Sequence, residues 1–216
     1  MLTAKSIHKH YGDLHVLKGV DVDIMPGEIV SIVGASGAGK STLLHILGTL
    51  DKADSGTLEV GGVDLSKLSG DKLAAFRNRK IGFIFQFHNL LPEFTAEENI
   101  IIPGLISGRE EKELKDRVRE LATLLGIKER LQHKPSELSG GEQQRVAVAR
   151  ALINDPAIIF ADEPSGNLDT HSAQALHELF FKLRDEFGQS FVIVTHNQNL
   201  AKMSDRMLTM KDGKIL

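Results

Sequence analysis

The sequence predicts an α/β fold built on a mostly parallel sheet. Buried-strand patterns rich in β-branched residues, at 28–33, 157–161 and 191–195, alternate with amphipathic helical patterns along the chain. This alternation is typical of a mostly parallel sheet with helices packed on its faces. A helical block at 88–154 interrupts the strands and indicates an inserted helical subdomain. The 216 residues suffice for one large domain, or one domain with a subdomain.

The first third of the chain is β-rich. Residues 20–24 alternate between apolar and acidic side chains, as expected of a strand with one buried face. Turn signals at 26–27 and 54–56 separate the next elements. The elements predicted in chain order are a strand at 28–33, a helix at 41–50, a strand at 57–60 and a strand at 81–85 that ends at Gln86.

Helices dominate the middle of the chain. Thr95 and Glu98 have the spacing of a capping box. A second helix carries one apolar face, formed by Leu114, Val118, Leu121 and Leu125, and a third is predicted at 140–153. Past the strand at 157–161, a long helix has apolar residues on one side, namely Leu176, Leu179, Phe180, Leu183 and Phe187. Residues 211–214 predict a hairpin turn.

Composition excludes several classes of protein. The formal net charge of -3 argues against a dominant nucleic-acid surface, which needs a basic excess. The absence of cysteine excludes disulfides and agrees with a cytoplasmic protein. Residues 1–5 lack the apolar core of a signal peptide, and the densest apolar stretch, 100–106, is too short to span a membrane. We therefore expect any membrane role to depend on a partner.

A phosphate-binding loop is the firmest functional signal. It follows a predicted strand and fits the pattern G-x-x-x-x-G-K-[ST] through Gly34, Ala35, Ser36, Gly37, Ala38, Gly39, Lys40, Ser41 and Thr42. Glycine allows the backbone N–H groups to point at phosphates. We expect Lys40 to reach the β- and γ-phosphates and the Ser41 hydroxyl to bind magnesium. The alternative is a glycine-rich turn that binds nothing.

Two acidic residues follow the strand at 157–161. Open α/β sheets bind ligands at the carboxyl ends of their strands. We expect Asp162 to hold magnesium through its water shell, and Glu163 to orient or deprotonate the attacking water. A solvated acidic pair at a strand end is the alternative.

Three further side chains complete the candidate site. Gln86 ends a strand, and its amide oxygen can bind magnesium or the attacking water. His196 also ends a strand and can hydrogen-bond the γ-phosphate or that water. Tyr11, the only tyrosine, can stack on adenine. A structural histidine and a packing tyrosine are the alternatives.

The segment Leu138-Ser139-Gly140-Gly141-Glu142 combines two patterns. Its glycine pair opens a helix whose free N–H groups and dipole suit an anion. Because the chain already has a phosphate loop, we predict that this segment serves the nucleotide of a second molecule. Ser139 and Glu142 also have capping-box spacing, so the segment could simply start a helix. A carboxylate would repel a γ-phosphate, so we predict that Glu142 turns back onto the Ser139 N–H.

With these motifs in order, the chain resembles the ATP-binding subunits of ABC transporters over essentially its whole length. Tyr11 matches the adenine-stacking loop, 34–42 the Walker A loop, Gln86 the Q-loop, 138–142 the signature, 158–163 the Walker B strand with its catalytic acid, 165–169 the D-loop and His196 the switch histidine. Glu142 stands where glutamine is commoner, which is a mild departure.

The resemblance implies a P-loop NTPase of the ABC ATPase type, with a single domain over 1–216. A RecA-like core with an N-terminal antiparallel β subdomain is expected over 1–87 and 155–216, and the helical subdomain over about 88–154. A head-to-tail homodimer would close on two ATP molecules with Mg²⁺, and Ser139, Gly140 and Gly141 would complete the neighbour's site in trans. Glu163 and His196 would be catalytic, and Asp169 would link the two sites.

Within the family, the chain looks most similar to subunits of lipoprotein-releasing exporters. This resemblance rests on the sequences of segments 80–92 and 161–169 and on the lack of a C-terminal regulatory domain. Macrolide or peptide exporters and cell-division complexes are the alternatives. Such subunits bind integral membrane permeases at the cytoplasmic face of the inner membrane. We expect the permease to contact an apolar loop formed by Phe87, Leu90, Leu91, Pro92 and Phe94, unless these residues pack the subdomain core.

Two other classes of protein share a phosphate loop. Soluble ABC ATPases of DNA repair or translation usually carry coiled coils, zinc or tandem domains, whereas this chain has no cysteine, no long heptad run and one copy of each motif. A phosphotransferase would leave the signature and the D-loop without a function. We therefore expect transport-coupled ATP hydrolysis and no nucleic-acid partner.

Overall fold

A computed structural model describes residues 1–216, which form two sheets and seven α-helices. The strands are β1 Leu2–Tyr11, β2 Leu14–Ile24, β3 Ile29–Val33, β4 Ser55–Val60, β5 Val63–Asp64, β6 Ile81–Phe85, β7 Ile158–Asp162, β8 Ser190–Val194, β9 Arg206–Lys211 and β10 Lys214–Ile215. The helices are α1 Lys40–Leu47, α2 Gly70–Lys80, α3 Ala96–Ile106, α4 Glu111–Leu124, α5 Gly140–Leu152, α6 Thr170–Phe187 and α7 Gln198–Met203. No helix has the length and apolar character needed to cross a membrane.

The central sheet is mostly parallel, as predicted. Its strand order is β10-β9-β3-β8-β7-β6, and only the β9–β10 hairpin is antiparallel. In the register of this sheet, Asp162 pairs with Phe85 on one side and with Val194 on the other. The residues that follow these three strands therefore lie at one edge, together with the loop after β3.

The outer sheet is antiparallel and has the order β2-β1-β4-β5. Its apolar side chains, such as Ile7 and Leu17, share one core with Leu43 of α1 and with Phe160 and Val192 of the central sheet. This shared core fixes the outer sheet against the helix that follows the phosphate loop.

Three helices, α3 to α5, are inserted between β6 and β7 and form the second core with α6. The predicted apolar face of α4 is buried at Leu114, Val118 and Leu121. The capping box before α3 is also confirmed, because the Thr95 N–H donates to Glu98 Oε2 at 2.7 Å and the Glu98 N–H donates to Thr95 Oγ1 at 3.2 Å.

Several predicted elements differ in detail from the structure. Helix α1 ends at Leu47 rather than residue 50, because Gly48 and Thr49, with φ of 62° at Thr49, leave the helical conformation. The strand predicted at 57–60 begins at Ser55, since Gly56 continues the strand at a φ of 107°. Phe187 was expected on the buried side of α6 but is 60% exposed, because it is the last helical residue and lies beyond the core.

Candidate functional site

The phosphate loop lies between β3 and α1, as predicted. Gly39 precedes α1 with a φ of 100°, and Gly37 has a φ of 77°, conformations that favour glycine. The Lys40 ammonium donates to the carbonyl oxygens of Gly34 and Ala35, both at 3.0 Å. The loop backbone and its cation therefore lie together at the edge of the sheet.

Two of the three predicted magnesium ligands, Ser41 and Asp162, are in contact. The Ser41 hydroxyl donates to Asp162 Oδ1 at 3.1 Å. Burial raises the pKa of Asp162, and the hydrogen bond from Ser41 opposes this effect. His45 lies 3.8 Å from the other carboxylate oxygen. A hydroxyl and a carboxylate beside a phosphate loop form a set of oxygen donors that fits Mg²⁺.

Glu163 and His196 form the next contact along the edge. The carboxylate oxygen Oε2 of Glu163 lies 2.8 Å from His196 Nδ1 and accepts the His196 backbone N–H at 3.2 Å. Glu163 has a φ of 46°, a strained conformation of the kind that concentrates at functional sites. The Glu163 N–H donates to Val194 O at 2.9 Å, so β8 holds the strained residue in place.

Gln86 points at the D-loop rather than at Ser41 and Asp162. Its side-chain amide donates to Asn167 Oδ1 at 2.9 Å, and Asn167 Nδ2 donates to the Gln86 carbonyl at 3.2 Å. A Cβ added at Gly166 would lie 2.8 Å from Gln86 Nε2, so a larger residue there would displace the Gln86 side chain. The Q-loop and the D-loop are therefore joined within one chain.

Tyr11 lies near the start of α1 with 51% of its surface exposed, so the ring is not buried in the core. Its hydroxyl donates to Asp51 Oδ2 at 2.6 Å, and this bond is the main reason why the pKa of Tyr11 is raised. The Lys9 ammonium lies 4.9 Å from the ring centroid and 2.9 Å from Asp51. Lys9 and Asp51 thus fix the orientation of an exposed ring.

The signature segment forms the predicted capping box at the start of α5. Glu142 Oε2 accepts the Ser139 N–H at 2.8 Å and the Ser139 hydroxyl at 2.9 Å, which confirms the predicted orientation of Glu142. Arg130 Nε donates to the other oxygen, Oε1, at 2.7 Å. Arg130 and then the Ser139 N–H are the main causes that lower the pKa of Glu142 to about 2. Ser139 and Gly140 are exposed.

Comparison with known proteins identifies the family. The profile described as "ABC transporter" matches residues 17–166. The chain belongs to the ABC transporter family. The lipoprotein-releasing system ATP-binding protein LolD of Cytophaga hutchinsonii is 59% identical over 216 residues, which are 100% of this chain and 99% of that protein. LolD of Bacteroides thetaiotaomicron is 59% identical over 215 residues, with coverage of 100% and 99%.

Solved ABC cassettes have the same fold. The dimeric structure of MJ0796, a bacterial ABC transporter cassette, has a TM-score of 0.91 at 41% identity and covers 100% of this chain and 96% of that one. A dimeric post-hydrolysis state of MJ0796 bound to ADP and Pi has a TM-score of 0.90 at 39% identity, with the same coverage. The fold and family predicted from the motifs are confirmed.

In this ABC cassette, helix α5 also contacts the D-loop and its flanking residues, since a Cβ at Gly140 would lie 3.6 Å from Leu168. The buried Gln144 side chain donates to the Pro164 carbonyl at 2.7 Å. A Cβ at Gly141 would lie 3.2 Å from Ser172 Oγ, in the first turn of α6. Asp169 caps α6 by accepting the Ser172 N–H at 3.0 Å and its hydroxyl at 2.6 Å. The signature and the D-loop therefore form one packed unit.

The apolar loop 87–94 is mostly exposed, as expected for a contact surface. Phe87 is 73% exposed, Leu91 42% and Phe94 41%, and Pro92 is exposed as well. Leu90 is the exception, because it packs against the helical core. The alternative that these residues form the subdomain core holds only for Leu90.

Two polar side chains hold the ends of this loop. The Arg150 guanidinium donates to the carbonyl oxygens of His88 at 2.6 Å and Asn89 at 2.7 Å. The fully buried Asn99 amide accepts the Leu91 N–H at 2.7 Å and donates to three carbonyls, those of Leu91, Phe94 and Thr95. Neither anchor was predicted from the sequence, although an asparagine directly before three isoleucines at 100–102 is a visible signal.

The contacts of Arg130 and Asn167 were also not predicted from the sequence. Each pairs with a residue that is distant along the chain, 12 positions away for Arg130 and 81 for Asn167. Neither belongs to a pattern of spacing that would connect it to its partner, so no local signal reveals these contacts.

Proposed function

We propose that this chain is the ATP-binding and ATP-hydrolysing subunit of a lipoprotein-releasing ABC transporter. The observation that carries hydrolysis is the contact between Glu163 and His196, which lies beside the Ser41–Asp162 pair at the edge of the sheet. The identity of 59% over the full chain to LolD proteins supports lipoprotein release as the transported process. We also propose that the single domain consists of a core with a β subdomain, over 1–87 and 155–216, and a helical subdomain over about 88–154.

ATP binds along the phosphate loop. The exposed Tyr11 ring stacks on adenine, and the backbone N–H groups of 34–42 with the Lys40 ammonium bind the phosphates. Ser41 and Asp162 would hold Mg²⁺, and Gln86 would join them once its amide leaves Asn167. When bound, the metal ion stabilises charge that develops on the transferred phosphoryl group.

Glu163 acts on the attacking water. The carboxylate takes a proton from the water while the water oxygen bonds to the γ-phosphorus. The bond between the γ-phosphorus and the oxygen that bridges it to the β-phosphate breaks, and ADP leaves. The 2.8 Å contact with His196 Nδ1 and the backbone bond from His196 restrict where the carboxylate can point. His196 therefore orients the acid; it would donate to the γ-phosphate through its other nitrogen only when both ring nitrogens carry protons.

The working unit is a head-to-tail homodimer. Ser139, Gly140 and Gly141 present the N-terminus of α5, and the first two of these residues are exposed. A helix start with free N–H groups suits the γ-phosphate of a second molecule. The dimeric form of MJ0796, which is 41% identical, supports dimerisation. Asp169, at the start of α6, follows Leu168, which lies beside Gly140 of the signature, and would connect the two sites.

A permease of the membrane contacts the apolar loop 87–94, which would place the chain peripherally at the cytoplasmic face of the inner membrane. Beside the loop lies a cleft of about 510 Å³, lined by Leu50, Phe83, Phe85 and Ile106 among others. Ile106 is 71% exposed and Leu50 45%. Exposed apolar residues along a cleft fit a short amphipathic helix of a partner.

Co-purification from membranes tests the proposal. The tagged chain should bring down an integral membrane protein, and Phe87→Ser should abolish this while ATP-dependent dimer formation is retained. Phe187→Ser is the matched control, because Phe187 is similarly exposed, at 60%, but lies at the end of α6. After reconstitution, a lipoprotein should stimulate ATP hydrolysis. Stimulation by a macrolide alone, or unchanged co-purification of Phe87→Ser, would contradict the proposal.

A further inference from the structure

Arg130 lies beside the signature and has no role in the proposed hydrolysis of ATP. It ends a short turn, Lys128–Arg130, between the buried side chains of Ile127 and Leu131. The burial of these neighbours anchors the backbone on both sides of Arg130. Its Nε donates to Glu142 Oε1 at 2.7 Å, whereas its terminal nitrogens make no hydrogen bond within the chain.

The Ser139 hydroxyl is committed to Glu142. A serine hydroxyl has one proton to donate. In the structure this proton goes to Glu142 Oε2 at 2.9 Å, while the Ser139 oxygen accepts the Glu142 N–H at 3.3 Å. Ser139 can donate to a phosphate only if the carboxylate gives up this bond. The Ser139 N–H, which donates to the same Oε2 at 2.8 Å, can keep its contact.

Glu142 also carries a charge of the wrong sign for a phosphate site. Its pKa is lowered to about 2, so the carboxylate stays ionised at neutral pH. The carboxylate would repel the γ-phosphate of a neighbouring molecule. Arg130 is the cation bonded to it, at Oε1, whereas Ser139 is bonded to the other oxygen, Oε2.

We propose that Arg130 is a positioning residue of the trans nucleotide site: its ion pair offsets the charge of Glu142 and lets the Ser139 hydroxyl turn from Glu142 to the γ-phosphate of the neighbouring chain. This inference rests on the proposed function, because it requires the neighbour's ATP at the start of α5. The inference also concerns Glu142, at the fifth signature position. Its negative charge opposes phosphate binding, and the paired cation Arg130 offsets that charge.

ATP-dependent dimerisation of the full chain is the test. Glu163→Gln serves as the parent so that ATP persists, and the ATP concentration for half-maximal dimer formation is measured by light scattering. Arg130→Met should raise this concentration on the order of tenfold at low salt and less at high salt, because salt screens exposed charges. Arg130→Lys keeps the charge and should stay within roughly threefold. Arg119→Met, which removes an exposed arginine of α4, should have no effect.

A second substitution separates charge from structure. Glu142→Gln removes the charge, yet its amide oxygen can still accept the Ser139 N–H. In that background, Arg130→Met should change the ATP requirement less than about twofold, since no charge remains to be offset. An equal effect of Arg130→Met in both backgrounds would assign Arg130 a purely structural role and overturn the inference, as would no effect in the parent.

The trans site itself is checked separately. Ser139→Arg in the same parent should prevent dimer formation with ATP. If the parent does not dimerise with ATP, or if Ser139→Arg dimerises normally, the proposed trans site fails and the role of Arg130 fails with it. If Ser139→Arg blocks dimerisation while Arg130→Met behaves as the parent, only the role of Arg130 is wrong.

Discussion

Replacing Arg150 with methionine should loosen the loop that we assign to the membrane partner. The half-buried guanidinium donates to the carbonyls of His88 and Asn89, which have φ of 60° and 50°. Positive φ costs a non-glycine residue about 1–3 kcal/mol and persists only where the surroundings enforce it. Burial lowers the pKa of Arg150, and no carboxylate compensates its charge. The two hydrogen bonds to carbonyl oxygens therefore stabilise both the buried cation and the strained turn.

The expected magnitude follows from two opposing effects. Hydrogen bonds to charged groups contribute about 1.5–3 kcal/mol each, so two bonds set an upper limit of roughly 3–6 kcal/mol. Methionine removes the cost of burying the cation, and the exposed carbonyl of Asn89 can bind water instead. We therefore expect the free energy of local opening to fall by about 2 kcal/mol, which corresponds to exchange roughly 30-fold faster.

Hydrogen exchange measures this opening directly. The amides of His88 and Asn89 should exchange faster in Arg150→Met, whereas the Leu91 amide, bonded to Asn99 Oδ1 at 2.7 Å, should change little. Arg119→Met provides a matched control, because its side chain is 64% exposed and pairs only with Asp116. Unchanged exchange at Asn89, or equal acceleration throughout the chain, would refute the reasoning.

Three further predictions concern the nucleotide site. Glu163→Gln should slow ATP hydrolysis by about 10²–10⁴-fold and accumulate an ATP-held dimer on gel filtration, because a general base is lost; normal turnover would contradict this. Lys40→Ala should abolish ATP binding in a calorimetric titration, because it removes the phosphate cation, and normal hydrolysis would exclude the assignment. Gly34→Ala should destabilise the fold by about 2 kcal/mol and so lower the Tm by about 4–8 °C, since its Cβ would overlap the Met210 carbonyl oxygen. Gly37→Ala, which meets open space, should lower it less.

Local patterns predicted the parts of this fold that depend on neighbouring residues. The strand, glycine loop and helix around Lys40 are contiguous, and so are the capping boxes at Thr95 and Ser139. Their geometry follows from residues three or four positions apart, which a sequence shows directly. The strand-end residues Glu163 and His196 could also be placed, because parallel strands share one edge.

Other features depend on contacts that no local pattern contains. Helix α2 was not predicted, because none of its residues is buried and it therefore lacks apolar periodicity. The contact of Gln86 with Asn167 joins segments 81 residues apart, so no local pattern indicated this bond to the D-loop. Phe187 fits the apolar face of α6 by spacing alone, and only the position of the core shows that this face ends before it.

Helix α5 connects three parts of the site. Ser139 lies at its start, Gln144 bonds the Pro164 carbonyl next to Glu163, and Arg150 holds the partner loop near its end. At 1.5 Å per residue, the 11 positions from Ser139 to Arg150 span about 16 Å of one continuous helix. If ATP binds at Ser139 and a partner at 87–94, as we propose, a shift of α5 would reach the D-loop and the loop 87–94 together. Such coupling is reciprocal, so the bound partner would change the affinity for ATP by the same factor by which ATP changes the affinity for the partner.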